Sequence, residues 1–191
     1  VFALVAIVFI VGTVAGILAG FYGGKIDAII MRLADIMISV PGMILAIAVA
    51  GIMGGSLINS ILAVAVFSWT KYARLRRSMV LQVKHSDYVD AAIINGGTRW
   101  HILWRHIAPN VLSVAVVTAV TDIGSLMMEL AGLSFLGFGV QAPAPEWGLM
   151  LNEGRQFLQS APWLMLFPGL AIFVTVIIFN LWGDSVRDVV D

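Results

Sequence analysis

Apolar residues come in long uninterrupted blocks separated by short polar stretches, and the blocks set the first expectation. Val1 to Gly24 and Gln156 to Gly183 carry no charged side chain. A helix rising about 1.5 Å per residue needs about 20 apolar residues to cross a hydrocarbon core of about 30 Å. Each of these blocks therefore predicts a membrane-spanning helix. Ile36 to Ser68 is also free of charge but too long for one ordinary span. Gly54-Gly55-Ser56 and Asn59 break it into two helices joined by a tight turn. A further region, Ile107 to Phe138, is interrupted only by Asp122 and Glu129. The pattern predicts an all-α polytopic membrane bundle with five transmembrane helices, in a single domain over residues 1–191.

The distribution of basic residues orients the bundle. Seven of the eleven Lys and Arg fall between positions 71 and 106 (Lys71, Arg74, Arg76, Arg77, Lys84, Arg99 and Arg105). By the positive-inside rule this stretch is a cytoplasmic loop. Threading outward from it puts Lys25, Arg32 and Arg187 inside as well, and leaves Arg155 alone outside. Val1 then starts on the outer side with no cleavable-signal pattern ahead of it, so a truncated sequence that has lost at least one earlier span is expected.

Composition agrees: the chain is 60% hydrophobic and 12% charged, with mean hydropathy +0.99, against about 45–50% and 25% for soluble domains. A water-soluble single-core fold and a disordered chain are both excluded. Net charge is zero, which offers no general attraction to nucleic acid. Within the spans, Gly12, Gly16, Gly20 and Gly24 recur every four residues, a series of GxxxG steps that lets another helix approach closely. Pro41-Gly42 and Pro168-Gly169 should kink or loosen their helices.

The polar loop has internal order. Ser86-Asp87 reads as a helix start, with Asp90 in the first turn where a carboxylate meets the positive helix end. Gly96-Gly97 breaks that helix, and Thr98 can cap a second. In it Trp100, Leu103, Trp104 and Ile107 fall at helical spacing on one apolar face, with Arg99, His101 and Arg105 elsewhere. Pro109 sits where the next span begins. Such an element either docks in the groove of a partner or lies at the headgroups of the bilayer.

Inside the membrane, Thr118, Asp122, Ser125 and Glu129 form a polar stripe at i, i+4, i+7 and i+11. A central Asp costs about 2.5–3.5 kcal/mol on insertion scales, so the stripe should avoid lipid. It lines a translocation path or is satisfied by partner helices in the bundle. It would suit a hydrated divalent cation or the ammonium of a peptide. Outside, Gly139 to Ala161 offers Glu146, Trp147 and Glu153 either to a substrate-delivering receptor or as plain structural connection.

Catalytic chemistry is poorly supplied. There is no Cys, no HExxH and no GxxxxGK[ST], and all three His (His85, His101 and His106) lie in the cytoplasmic loop. An aspartyl mechanism needs carboxylates on two helices, whereas Asp122 and Glu129 share one. No catalytic residue and no metal site is assigned. An ion-coupled secondary transporter using Asp122 or Glu129 stays open as an alternative, although no internal repeat supports it.

Asp90-Ala91-Ala92, three residues, Gly96, then Pro109 resembles the EAA motif of permease subunits of ABC importers: Glu-Ala-Ala, three residues, Gly, nine residues, Ile, any residue, Leu-Pro. Asp90 replaces Glu, His106 replaces Ile and Ala108 replaces Leu. Leu133-Ser134-Phe135-Leu136-Gly137, Pro145-Glu146-Trp147-Gly148 and the closing run Gly183 to Asp188 resemble the oligopeptide, dipeptide and nickel branch, which has the MetI-like fold. The resemblance implies a six-span subunit of a bacterial or archaeal cytoplasmic (inner) membrane. It implies a coupling helix around Asp90 to Pro109, including Gly97, Trp100, Trp104 and Arg105, seated on an ATPase subunit. The implied partners are a second homologous permease, two nucleotide-binding ATPase subunits and an external solute-binding protein. ATP and magnesium would bind at the ATPase subunits, with no cofactor on this chain. Nickel, a nickel chelate, or di- and oligopeptides are the implied cargo.

Overall fold

The computed structural model describes residues 1–190, the last three of these by their backbone alone. Asp191 lies outside the described residues, and Asp188 of the closing run is described only as backbone. All regular structure among them is helical: α1 (Phe2–Tyr22), α2 (Gly24–Ser39), α3 (Gly42–Met53), α4 (Leu57–Val83), α5 (Asp87–Ile94), α6 (Arg99–Ile102), α7 (Ala108–Thr121), α8 (Ile123–Phe135), α9 (Trp147–Gly154) and α10 (Trp163–Val190). A π turn over Leu103–Ile107 joins α6 to α7, and a 3-10 turn over Arg155–Phe157 follows α9. The chain is a helical membrane bundle.

Among the described residues three helices are long and apolar enough to cross a membrane: α1, the continuous rod Arg99–Thr121, and α10. Helices α2 and α3 make a fourth if taken together as one span bent by 90°. The bend falls at Pro41, which ends α2 because the residue before a proline avoids the helical region. The fifth expected pass corresponds to α4, which is long enough at about 40 Å but carries Lys71, Arg74, Arg76 and Arg77 in its second half. The polar stretch therefore does not begin as a loop at position 71; α4 continues to Val83 before the chain turns.

Close packing against α1 explains why α4 extends so far. A Cβ at Gly12 would lie 2.4 Å from Tyr72 Cβ, one at Gly16 would lie 2.5 Å from the Ala73 carbonyl, and one at Gly20 would lie 2.7 Å from Val80 Cβ. Contacts advance together along both helices, so α1 and α4 run parallel, as expected if α2 and α3 carry the chain back across between them. Gly24, grouped with these glycines by sequence, lies beyond the end of α1, and a Cβ there would meet nothing within 4 Å. At the start of α4, Ser56 caps the helix by accepting from the Asn59 amide at 3.2 Å. The Asn59 side chain donates to Met53 O and Gly54 O, closing the predicted turn.

Two apolar clusters hold the bundle. One joins α1, α3, α4 and α8 through residues such as Leu4, Val8, Ala46, Val64, Leu126 and Leu133. The other, beside the α5 elbow, joins Phe21 and Val80 to Val89, Ile102, Leu103, Ile107 and Val111. The region from Ile107 to Phe138 is not one helix, because it breaks at Asp122 between α7 and α8. Helix α10 leaves Phe173, Ile178, Leu181 and Trp182 exposed.

Candidate functional site

The two helix breaks face one another across α4. Between them lies a cavity of about 470 Å³, walled by Met37, Pro41 and Met43 from the α2–α3 bend, Phe67, Ser68, Lys71 and Tyr72 from α4, and Asp122, Ser125 and Glu129 from the α7–α8 break. Broken helices at membrane depth are tolerated where their backbone lines a cavity, and both breaks fit that rule.

Polar contacts pair α4 with α7 and α8. Lys71 Nζ donates to Asp122 Oδ1 at 2.8 Å and to Oδ2 at 3.0 Å. Ser68, one turn earlier on α4, donates through Oγ to Glu129 Oε2 at 3.2 Å. Arg76 is wholly buried, donating through Nη2 to the Ala115 carbonyl at 2.9 Å and through Nη1 to Thr118 Oγ1 at 3.5 Å. Its guanidinium carbon sits 5.6 Å from the Tyr72 ring centroid, within cation–π range. Arg76 Nε and the Tyr72 hydroxyl are buried without a protein partner. The stripe Thr118, Asp122, Ser125, Glu129 is thus divided. Its last three members line the cavity, while Thr118 stands outside it as an acceptor for Arg76.

This arrangement alters the electrostatic picture drawn from the stripe alone. The carboxylates of Asp122 and Glu129 are set against Lys71 and Arg76, so the site is charge-balanced rather than acidic. Residues 68, 71, 72 and 76 escaped the sequence reading because a basic segment after an apolar block reads as a loop. A signal was present: Ser68, Tyr72 and Arg76 recur every four residues, continuing the helix into the charged region. The remaining cations of α4 find partners on α2, where Arg74 pairs with Asp35 and Arg77 pairs through two bonds with Asp27.

Helix α5 begins after Ser86, whose hydroxyl donates back to the Val83 carbonyl at 2.6 Å rather than capping the helix. Asp90 and Ala91 are exposed and Ala92 is half-buried. Gly96 has φ +80°, a conformation that favours glycine. The Gly97 amide donates to Ala92 O at 3.0 Å, and Thr98 caps the next turn by accepting from the His101 amide at 3.3 Å. The expected single apolar face is split. Leu103 and Ile107 are buried with Ile102, whereas Trp100 and Trp104 are 64% and 55% exposed. Packing decides the split: Ile102, Leu103 and Ile107 join the cluster of Phe21, Val80 and Val89, and the two Trp side chains do not. Trp100 and Trp104 instead form an edge-on pair with ring centroids 5.5 Å apart, beside Arg105 and Pro109 on an open surface. Pro109 stands in the first turn of α7, within the longer rod Arg99–Thr121.

In the segment between α8 and α10, Glu146 is committed to structure. Its carboxylate caps α9, accepting from the amides of Gly148 at 3.1 Å and Leu149 at 2.8 Å. Trp147 and Glu153 are exposed on the same helix. Glu146 and Trp147 also border a second cavity of about 330 Å³ with Met127, Ser134 and Ile172.

Comparison with known proteins places these features in a family context. Residues 12–191 match the model of the family described as binding-protein-dependent transport system inner membrane component. The chain is 48% identical over 181 residues to a glutathione transport system permease protein of Pectobacterium atrosepticum, covering 95% of this chain and 60% of that protein. It is 44% identical over 182 residues to a dipeptide transport system permease protein of Alkalihalophilus pseudofirmus, covering 95% and 60%. It is 40% identical over 191 residues to the nickel transport system permease protein of Escherichia coli K12, covering 100% and 69%. The chain therefore spans about 60% of the length of the first two of these relatives.

Proposed function

The chain belongs to the family of binding-protein-dependent transport system inner membrane components, and on that premise we propose that it is the membrane-spanning core of an ABC importer permease in a bacterial or archaeal inner membrane. The cavity between the two helix breaks is its part of the translocation path. The Lys71–Asp122 pair carries this reading, because it ties the unbroken helix α4 to the α7–α8 break on the wall of that cavity. Substrate delivered by an external binding protein enters from the outer side, and ATP is hydrolysed by two partner ATPase subunits that also hold its magnesium. A second homologous permease completes the pore.

Coupling follows from continuity. The elbow at Gly96 leads into the rod Arg99–Thr121, which ends at Asp122. Over about 34 Å one stiff element thus connects the α5 elbow to the cavity. A movement of α5 and α6 imposed by closure of the ATPase subunits shifts Asp122 relative to Lys71 and opens or closes the path. Exposed Tyr88, Ile93, Ile94, Trp100 and Trp104 supply the apolar contacts for that docking.

The cargo we propose is a small zwitterionic peptide, with nickel or a nickel chelate as the competing reading. Lys71 offers a cation to a carboxylate, and Asp122 and Glu129 offer anions to an ammonium. Among the described residues no three His, Asp or Glu side chains are grouped to hold a metal ion. The test is ATP-driven uptake of a labelled dipeptide and of labelled nickel, side by side, in proteoliposomes containing the full-length permease pair, ATPases and receptor. Dipeptide uptake supports the zwitterion reading and nickel uptake alone overturns it. Uptake of either without ATP would revive an ion-coupled mechanism at Asp122 or Glu129.

A further inference from the structure

A second basic site, separate from the path, lies where the spans meet the elbow. A pocket of about 290 Å³ is bounded by Phe21 and Tyr22 at the end of α1, Lys84 after α4, Val89 and Ile93 of α5, Gly97, and Arg99, Ile102 and Ile107 of the rod. Among the described residues it has two cations in its lining and no carboxylate. We infer that this pocket binds the phosphate headgroup of an anionic phospholipid of the cytoplasmic leaflet.

Three observations converge on that occupant. First, both charges are uncompensated, and that of Lys84 is held in place. Lys84 Nζ donates to the Phe21 carbonyl at 2.9 Å and stands 5.9 Å from the Phe21 ring centroid. A carbonyl does not neutralise an ammonium, and two of its three N–H donors stay available. The Arg99 side chain makes no hydrogen bond or ion pair with any described residue, so its fork of donors is free to grip phosphate oxygens.

Second, the floor is apolar. Val89, Ile102 and Ile107 are buried beneath the cations, which suits the glycerol and first methylenes of a lipid better than a fully hydrated anion. The volume holds a headgroup phosphate and glycerol, leaving the acyl chains in the bilayer. Third, the depth is right. Helix α1 is about 30 Å long, the thickness of the hydrocarbon core, and it ends at Tyr22. Tyr22 is exposed at this end of the bundle, as expected of an aromatic residue at a membrane boundary. Basic pockets between spans on the cytoplasmic side capture anionic headgroups for these reasons.

The occupant would bridge α1 and α4 to the elbow, because Gly97 lines the same pocket. A lipid phosphate there steadies the hinge through which α5 moves the rod, so the site goes beyond the transport path and tunes it.

The test measures lipid retention on the full-length permease in mixed phosphatidylglycerol and phosphatidylcholine bilayers, by native mass spectrometry after gentle extraction. The wild type should retain phosphatidylglycerol in preference to phosphatidylcholine. Arg99→Gln, at an exposed position, should lower that retention by about fivefold, the equivalent of one basic contact. Lys25→Gln removes the same charge from the same end of the molecule outside the pocket and should leave retention unchanged. Equal loss in both variants would show diffuse surface attraction and overturn the site. Displacement of phosphatidylglycerol by inorganic phosphate would overturn the lipid assignment in favour of a soluble anion. Since retention is read on the permease without ATP, a negative result here leaves the transport proposal untouched, and failure of uptake leaves this one untouched.

Discussion

Lys71 and Asp122, 51 residues apart in sequence, meet at 2.8 Å across the cavity between α4 and the α7–α8 break. The partners are unequally placed: the Lys71 side chain is 65% exposed and that of Asp122 only 12%. Exposure of the lysine limits the worth of the pair to fold stability to about 1 kcal/mol or less, so the contact is better explained by transport than by architecture. Asp122→Asn should therefore leave assembly and thermal stability nearly unchanged while strongly reducing ATP-driven uptake. The reversed pair Lys71→Asp with Asp122→Lys should recover part of the loss. Full uptake by an assembled Asp122→Asn variant would remove this pair from the path.

Arg76 presents the opposite case. It is fully buried, bonded to the Ala115 carbonyl, and packed against the α1 glycine face at Gly16. Hydrogen bonds from charged groups contribute about 1.5–3 kcal/mol. Arg76→Met should cost about that much and lower the midpoint of thermal unfolding in detergent. Arg76→Lys keeps the charge but loses the fork and should be intermediate. A midpoint unchanged by Arg76→Met would show that the contact to α7 contributes nothing.

These two residues mark the boundary of what the sequence makes legible. Helices α1 and α10 and the Gly54–Ser56 turn are readable because charge-free runs and turn residues act locally. The polar stripe through Asp122, Ser125 and Glu129 is readable because helical periodicity survives the break. The cationic half of the site is not, since Lys71 becomes a wall of the cavity and Arg76 an interior group only after α1 glycines draw α4 into contact and Asp27 and Asp35 of α2 take up the neighbouring arginines. Nor is the exposure of Trp100 and Trp104 readable, because they share a helical spacing with Leu103 and Ile107 and only packing against Phe21, Val80 and Val89 selects which of the four are buried.

The glycine contacts on α1 predict a graded response. At Gly16 a Cβ would fall 2.5 Å from the Ala73 carbonyl and 2.6 Å from Arg76 Cβ, positions that backbone cannot vacate cheaply, whereas at Gly51 the nearest atom is 3.5 Å away on the Phe138 ring. Gly16→Ala should separate α1 from α4 and lower the yield of assembled permease, and Gly16→Val should do so more. Gly51→Ala should be tolerated, and by raising helix propensity it should stabilise α3 by up to about 1 kcal/mol. Fluorescence-detected size-exclusion profiles of the three variants, scored against wild type, give the order directly. Equal profiles for Gly16→Val and Gly51→Ala would refute the close-packing account.

At Gly96 the expected defect is one of backbone rather than bulk. Its φ of +80° disfavours any L side chain, yet nothing lies within 4 Å of a Cβ built there, so alanine should be about as harmful as valine. The left-handed conformation costs a residue with a Cβ about 1–2 kcal/mol, and asparagine visits it more readily. Relaxation of the elbow would misalign α5 with the rod Arg99–Thr121 while both helices remain folded, since the buried cluster of Val89, Ile102, Leu103 and Ile107 does not depend on Gly96. In the reconstituted importer, Gly96→Ala and Gly96→Val should both raise the ATP hydrolysed per substrate moved, with helical content unchanged. Gly96→Asn should sit between them and wild type. A penalty that grew steadily with side-chain volume, with alanine nearly normal, would instead mean that the residue is small to admit a partner's surface.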